Sequence, residues 1–128
     1  MIKNFLIISV IGKNNTIGLK VNNNFFFKDY QFKNINSDSL LQEISDFISE
    51  NKVIIDSSFS VLVNIGPGSF SLIRTALAIA KGISLAKEIN LFGFKNSDLD
   101  TFTLENIEFL IKKKKLQNKL IKPVYELN

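Results

Sequence analysis

The alternation of apolar and polar positions predicts three short strands at the start of the chain. Residues 2–11 form an almost continuous apolar run, which is typical of a strand buried on both faces. Residues 16–21 alternate between polar and apolar, and residues 25–32 are rich in phenylalanine, so each segment predicts a further strand. The connections over residues 12–15 and 22–24 are too short for a parallel crossover. We therefore expect an antiparallel meander.

Helical and strand patterns then alternate along the rest of the chain. Apolar residues recur at three- and four-residue spacing over residues 38–50 and 69–88, which predicts two helices. The apolar face of the first helix consists of Leu40, Leu41, Ile44, Phe47 and Ile48. The stripe of the second consists of Ile73, Ala76, Leu77, Ala80 and Ile83. Strands are predicted over residues 59–65 and 90–94, and a third helix is predicted between residues 98 and 115.

This order of elements, βββαβαβ followed by a helix and a tail, predicts the fold class. A meander followed by strands that helices connect is typical of an α/β protein with a mixed five-stranded sheet. The chain has no internal repeat and no linker that would divide it. We expect one domain over residues 1–128, in which the last helix and the tail occupy about residues 98–128.

Composition excludes several kinds of active site. The chain has 128 residues and contains neither cysteine nor histidine. These absences exclude a disulfide, a thiolate nucleophile, a Cys/His zinc site and any catalytic triad that depends on histidine. Catalysis would have to depend on carboxylates, lysines, hydroxyls or a bound cofactor. We expect no metal and no cofactor.

Charge is distributed unevenly along the chain. The net charge is +4, but residues 110–128 contain six lysines and one acidic residue. The cluster Lys112 to Lys115, together with Lys119 and Lys122, has two interpretations. It is a solvated helix end, where cations suit the helix dipole, or it contacts RNA phosphates. No aromatic residue is interleaved with these lysines to stack on bases, so sequence-specific RNA binding is not favoured.

The apolar run near the start does not predict a membrane span. It is far shorter than the roughly 20 residues that a spanning helix needs. The turn residues 12–15 follow it where a signal peptide would have a cleavage site of small residues, so a buried strand is the favoured interpretation.

A glycine-rich turn between the fourth strand and the second helix is the most informative motif. The residues are Gly66, Pro67, Gly68, Ser69 and Phe70. Free N–H groups at a helix start bind anions, but a Walker A loop requires a lysine directly after its last glycine, and this chain has none there. Ser69 has no histidine to activate it as a nucleophile. A structural turn is therefore favoured over a phosphate site.

The second helix has small residues on more than one face. Alanine, glycine or serine occupies every second position from Ala76 to Ala86. One face would pack on the sheet, and another would allow a partner helix to approach closely. Arg74, the one arginine, lies near the start of this helix and offers a planar, forked donor. The sequence favours neither of two roles for Arg74, a contact at a partner interface or an ordinary ion pair on the surface.

The segment over residues 63–93 resembles the TsaB (YeaZ) family. The resemblance rests on IGPGSF at residues 65–70, LIR at 72–74, AIAKGI at 78–83 and LFG at 91–93. The ending PVYEL at residues 123–127 is similar to the family's C-terminal pattern.

The resemblance implies an actin-like (ASKHA, ribonuclease-H-like) domain and a cytoplasmic protein with a role in tRNA processing. Family members are noncatalytic subunits in the synthesis of threonylcarbamoyladenosine, the modified adenosine next to the tRNA anticodon. They pair with the catalytic subunit TsaD through helices of the N-terminal domain, and the ATPase TsaE joins them. The resemblance therefore implies contact with tRNA that is weak or indirect.

Three features depart from the family pattern. Full-length members carry a second α/β domain, so we expect this chain to be a short form without it. The first strand of members runs into Asp-Thr-Ser, whereas Ser9-Val10-Ile11 stands here, without a carboxylate. Members commonly have a histidine at the start of the first helix, and this chain has Asn36-Ser37-Asp38. Since an actin-like ATPase needs carboxylates to hold Mg²⁺, the loss at the first strand argues against hydrolysis.

Together these observations predict a scaffold rather than an enzyme. The alternative is a small nucleotide- or anion-binding enzyme that uses the turn over residues 66–70, and such an enzyme should keep acidic residues where Ser9 and Asn64 stand. A surface left uncovered by the sheet would form the partner interface and would also support a homodimer when the protein is alone. The predicted interface residues are Leu40, Leu41, Ile44, Phe47, Ile48, Arg74, Ala76, Leu77 and Ala80.

Overall fold

A computed structural model describes residues 2–12, 14–31, 37–118 and 121–124, the side chains of Ser37 and Asp38 excepted. The elements follow the predicted order. The strands are β1 (Asn4–Ser9), β2 (Asn15–Val21), β3 (Asn24–Tyr30), β4 (Phe59–Asn64) and β5 (Asn90–Phe94). The α-helices are α1 (Ser37–Glu50), α2 (Phe70–Lys87) and α3 (Leu104–Lys112), and a short 3₁₀ turn covers Asn96–Asp98.

The five strands form one mixed sheet in the order β3-β2-β1-β4-β5. The first three strands pair antiparallel, as the short connections predict, while β4 and β5 are parallel to β1. The apolar run near the start of the chain therefore forms the central strand. It is shorter than predicted, because residues 10 and 11 continue beyond the sheet without strand pairing.

Both faces of the sheet are covered by apolar side chains. One face packs against α1 and α2 through residues such as Leu6, Ile8 and Val63. The opposite face packs against α3 through Phe5, Leu62 and other residues, which form a second core cluster. Two covered faces explain why the middle of β1 (residues 5–8) and the middle of β4 (residues 61–63) are continuously apolar rather than alternating.

The third helix is shorter than the predicted span of residues 98–115. Thr103 caps its start, because the Thr103 hydroxyl oxygen accepts a hydrogen bond from the Asn106 backbone N–H at 3.1 Å. The helix ends at Lys112, and Lys114 then lies in the left-handed region, with φ of 57°. Phe102, which was predicted to lie on the helix, instead stacks on Phe25 of β3 with ring centroids 6.3 Å apart.

The third strand was predicted to reach residue 32 and ends at Tyr30, while residue 32 itself lies outside the described part of the chain. The tail of the chain is described as far as Val124. The Val124 backbone N–H donates to the Ile65 carbonyl oxygen at 2.7 Å, which joins the tail to the end of β4.

Candidate functional site

The glycine-rich turn leads from the carboxyl end of β4 into α2. Gly66 has φ of +101°, a conformation that side chains with a Cβ rarely adopt. A Cβ at this position would also lie 2.5 Å from the Val124 carbonyl oxygen. Gly68 passes close to the Ile11 carbonyl oxygen, and the Ser69 backbone N–H donates to that same oxygen at 2.7 Å. Both glycines are therefore explained by close contacts within the chain.

These contacts reduce what the turn can offer an anion. Pro67 has no N–H, Ser69 donates to Ile11, and the Gly66 N–H donates to the Asn64 side-chain oxygen at 2.9 Å. Three of the five motif residues thus have no N–H left for a ligand. The geometry supports the structural interpretation of the motif over the anion-binding alternative.

Asn64 ties the turn to two neighbouring segments. It is fully buried, and its side-chain nitrogen donates to the Ser9 hydroxyl and to the Asn96 side-chain oxygen, each at 3.1 Å. With the bond to Gly66, this amide uses both N–H groups and its oxygen. Ser9 and Asn64, the two positions at which an enzyme should have acidic residues, are therefore hydrogen-bonded to each other. The described residues contain no cluster of three acidic side chains that could hold a metal ion.

The predicted interface residues divide into a buried and an exposed group. Six of them are at most 3% exposed and pack in the core of the chain itself: Leu40, Ile44, Phe47, Ala76, Leu77 and Ala80. Ile48 is half-buried against the same core. Leu41 is 47% exposed, and Arg74 is exposed, with its guanidinium carbon 5.1 Å from the centroid of the Phe70 ring. A partner that docks on the described surface would therefore meet Leu41 and Arg74, not the buried six.

The exposed side of α2 carries the remaining small residues. Ser71, Arg74, Ala78 and Gly82 follow one another at three- and four-residue spacing and are all exposed, and we call them the α2 outer face. A Cβ on Gly82 would meet nothing within 4 Å. No contact within the described chain therefore explains this glycine, although glycine inside a helix costs about 1 kcal/mol relative to alanine.

A polar row crosses the α3 side of the sheet at the carboxyl end of β1. Ser9 pairs with Thr16, and Thr16 pairs with Asp29, so their side chains share one face. The Thr16 hydroxyl donates to an Asp29 carboxylate oxygen at 2.7 Å. This row borders a cleft of about 900 Å³, whose other wall is formed by Leu99 to Phe102. No local sequence pattern predicts this cleft, because only the pairing register places residues 9, 16 and 29 side by side.

Several lysines lie near β5, at the edge of the sheet opposite to β3. Lys112 to Lys115 are exposed at the end of α3, and the Lys113 amine lies 5.3 Å from the centroid of the Phe109 ring. Lys122 and Lys81 line one cleft of about 570 Å³ beside β5. Lys119 lies outside the described residues. The cluster remains compatible with both interpretations, a solvated helix end and an RNA contact.

Tyr30 has the most perturbed titration among the described groups. Burial is the largest cause that raises its pKa, and together with the negative charges of Glu43, Glu50 and Asp46 on α1 it raises the pKa to about 12. Each of these factors disfavours the phenolate, so Tyr30 stays neutral well above the ordinary range of a tyrosine.

Comparison with known proteins supports the fold. No family model matches the chain, and no curated protein matches it. Among solved structures, YeaZ from Pseudomonas aeruginosa superposes with a TM-score of 0.65 at 17% identity, over 73% of this chain and 44% of that one. An uncharacterized protein described as similar to the peptidase YeaZ from Pseudomonas aeruginosa gives a TM-score of 0.66 at 17% identity, over 73% of this chain and 43% of that one.

The chain shares the fold of part of YeaZ. Its mixed five-stranded sheet with packed helices matches these neighbours, which confirms the predicted actin-like α/β class. The chain spans less than half the length of the solved structures that it matches. No helix in the described ranges is both long and apolar enough to cross a bilayer.

Proposed function

We propose that this chain is a noncatalytic subunit of the machinery that adds threonylcarbamoyl to the tRNA adenosine next to the anticodon. In this proposal it pairs with a TsaD-type catalytic subunit in the cytoplasm, and a TsaE-type ATPase joins the assembled complex. Contact with tRNA is indirect or weak and runs through the complex.

One observation carries the proposal. The segment with the sequence resemblance, residues 63–93, is the unit from the end of β4 through α2 to β5, in a fold that YeaZ shares. The distinctive motif thus belongs to one continuous strand–turn–helix–strand unit of this fold. The glycines of the motif shape the entry into α2, the helix that would meet the partner.

The side chains at the strand ends support a scaffold. Asn64 donates a hydrogen bond to the Ser9 hydroxyl where an actin-like ATPase needs carboxylates for Mg²⁺. The nearest carboxylate in that polar row is Asp29, which accepts from Thr16 on the far side of β2. The alternative, a small nucleotide- or anion-binding enzyme, gains no support from the turn, since its N–H groups are largely used within the chain.

The α2 outer face is the surface that we assign to the partner. Its small residues allow the backbone of a second helix to approach, and Gly82 has open space above it. Arg74 adds a forked donor that is already oriented by the Phe70 ring. Leu41 on α1 supplies exposed apolar area. The same surface would support a homodimer when the protein is alone.

The direct test is co-purification with the TsaD-type protein of the same organism, followed by sedimentation velocity of the mixture. We expect a heterodimer, and we expect the isolated protein to dimerise over a dilution series. Gly82→Leu should weaken the heterodimer at least tenfold, because the larger side chain blocks close approach. Leucine is a better helix former than glycine, so lost binding would not reflect unfolding.

Ile54→Glu is the matched control, since Ile54 is 82% exposed and lies outside both helices. It should leave binding unchanged. A protein that stays monomeric at high concentration and also fails to bind the TsaD-type subunit would contradict the proposal.

A further inference from the structure

The cleft beside the polar row has an unusual charge for this chain. The chain has sixteen lysine and arginine residues, yet the described lining of this cleft contains none. It contains two carboxylates, Asp29 and Asp100. Among the described residues neither carboxylate has an ion-pair partner; Asp29 accepts one hydrogen bond from Thr16. Such a cleft repels phosphate and attracts a cation.

An aromatic wall stands beside the carboxylates. Phe27 is 55% exposed and borders the cleft together with Phe102, with ring centroids 6.3 Å apart. Phe102 reaches this place because Gly18 of β2 leaves room for it: a Cβ there would lie 3.1 Å from the Phe102 ring. An aromatic ring that lines the same cleft as two carboxylates is a favourable environment for a planar cation, since the face of the ring carries negative charge.

The floor of the cleft offers hydrogen-bond donors instead. Ser9 is only 6% exposed. Its hydroxyl oxygen accepts a hydrogen bond from the Asn64 side chain, while no described residue accepts the hydroxyl hydrogen. Asn15 is 3% exposed and uses its oxygen to accept from the Gly12 N–H, while no described residue accepts from its side-chain nitrogen. A ligand that complements this cleft therefore carries a hydrogen-bond acceptor for these donors as well as a cation for the carboxylates.

We propose that this cleft binds a guanidinium or ammonium group on a molecule that also carries a carbonyl or carboxylate oxygen, which describes arginine or lysine, free or within a peptide. The cation pairs with Asp29 and Asp100 and stacks on Phe27, and the oxygen accepts from the Ser9 and Asn15 donors. Guanidinium is preferred over ammonium, because it is planar and its N–H groups form a fork that fits a carboxylate. This site is separate from the α2 outer face, so it does not depend on the proposed function.

Isothermal titration of the whole chain tests the proposal with four probes at about 10 mM: L-arginine, L-lysine, L-citrulline, and an arginine flanked by blocked glycines. Citrulline has the shape of arginine without its charge. We expect arginine in at least one form to bind and citrulline to bind at least tenfold more weakly. Tighter binding of the free amino acid would identify a metabolite as the source of the group, and tighter binding of the peptide would identify a protein side chain.

Variants locate the binding. Asp29→Asn and Asp100→Asn should each weaken arginine at least fivefold, and asparagine at position 29 keeps an oxygen to accept from Thr16. Phe27→Ala should weaken it about threefold, in line with a cation–π contact. The matched controls are Asp56→Asn and Phe109→Ala. Asp56 precedes β4, at the opposite end of that strand from the cleft, and Phe109 is 59% exposed on α3. Both should bind arginine like the unaltered protein.

Four results would overturn the proposal. Citrulline could bind as tightly as arginine, or the two aspartate variants could bind like the controls while remaining folded by circular dichroism. Binding of ATP or inorganic phosphate that Asp29→Asn strengthens would identify an anion site instead. The lack of binding by every probe would also overturn it.

Discussion

Gly68 and Ile11 lie so close that a Cβ on the glycine would stand 2.5 Å from the isoleucine carbonyl oxygen and 2.8 Å from its Cβ. The turn after β4 is thereby fixed against the segment that leaves β1. The contact is mainly with backbone, which cannot swing away as the end of a flexible side chain can. The motif that marks this chain in sequence is thus a packing requirement between two parallel strands.

Gly68→Ala should lower the free energy of unfolding by about 1–3 kcal/mol, as is typical when extra atoms are forced into a filled space. Gly82→Ala is the control within the same segment. It should raise stability by up to about 1 kcal/mol, because alanine favours the helix and the space above position 82 is open. Urea denaturation followed by circular dichroism measures both. Equal effects of the two substitutions would contradict the packing argument.

Leu40 and Leu41 are neighbours on α1 with opposite environments, 0% and 47% exposed. Leu40→Ala should cost about 2–5 kcal/mol of stability, because it leaves a cavity in the core. Leu41→Ala should change stability by less than about 1 kcal/mol. If Leu41 contacts a partner, its substitution should instead weaken association, so the same pair measured by sedimentation separates folding from binding.

Asn64→Ala should destabilise the protein by about 1–3 kcal/mol, because it leaves the buried Gly66 N–H without its acceptor. The Ser9 hydroxyl and the Asn96 side chain lose their shared partner at the same time. Asn118→Ala, at an exposed position, is the control and should be neutral. Thermal unfolding followed by calorimetry measures the stability of both variants. An unchanged unfolding midpoint for Asn64→Ala would contradict the prediction and would show that water replaces the lost hydrogen bonds.

Tyr30 makes stability sensitive to high pH. Its pKa is raised from 10.0 to about 12 in the folded protein, so the unfolded chain loses the phenol proton first as pH rises. Stability from this group is therefore complete below pH 10 and falls between pH 10 and about 12. Tyr30→Phe should show a flatter decline over that range. Tyrosinate absorbance in a Tyr125→Phe background reports Tyr30 alone, and an ordinary midpoint there would contradict the shift.

The order of the elements could be predicted from the sequence because local rules determine it. Short turns forced the meander, and the length of the apolar run placed β1 in a buried position. The outward or inward direction of a small residue could not be predicted in the same way. Ala76 is fully buried and Ala78 is exposed, although both suit either environment and both carry the same weak signal.

The limits of sequence analysis are clearest where tertiary contacts override periodicity. Phe102 fits the apolar pattern of a helix, but it lies in a bend before α3 begins, where its ring stacks on Phe25 and is tilted against Phe27. The cleft depends on the same segment and on the strand register, and neither is encoded in local spacing. The predicted interface consists mostly of residues on the apolar faces of α1 and α2. Six of its nine residues are buried in the core of the chain itself, because the same apolar faces pack on the sheet.

The two edges of β1 differ in when their partners become available during folding. Its antiparallel neighbour β2 follows after a short turn, whereas Ser9 and Asn64, bonded across β1 and β4, are 55 residues apart in the chain. Closing that long loop is slower and entropically costlier than forming the hairpin. A nascent chain would therefore hold a formed hairpin with one open apolar edge, Phe5 to Ile8, until β4 arrives. That interval is when the protein is most exposed to strand-to-strand aggregation.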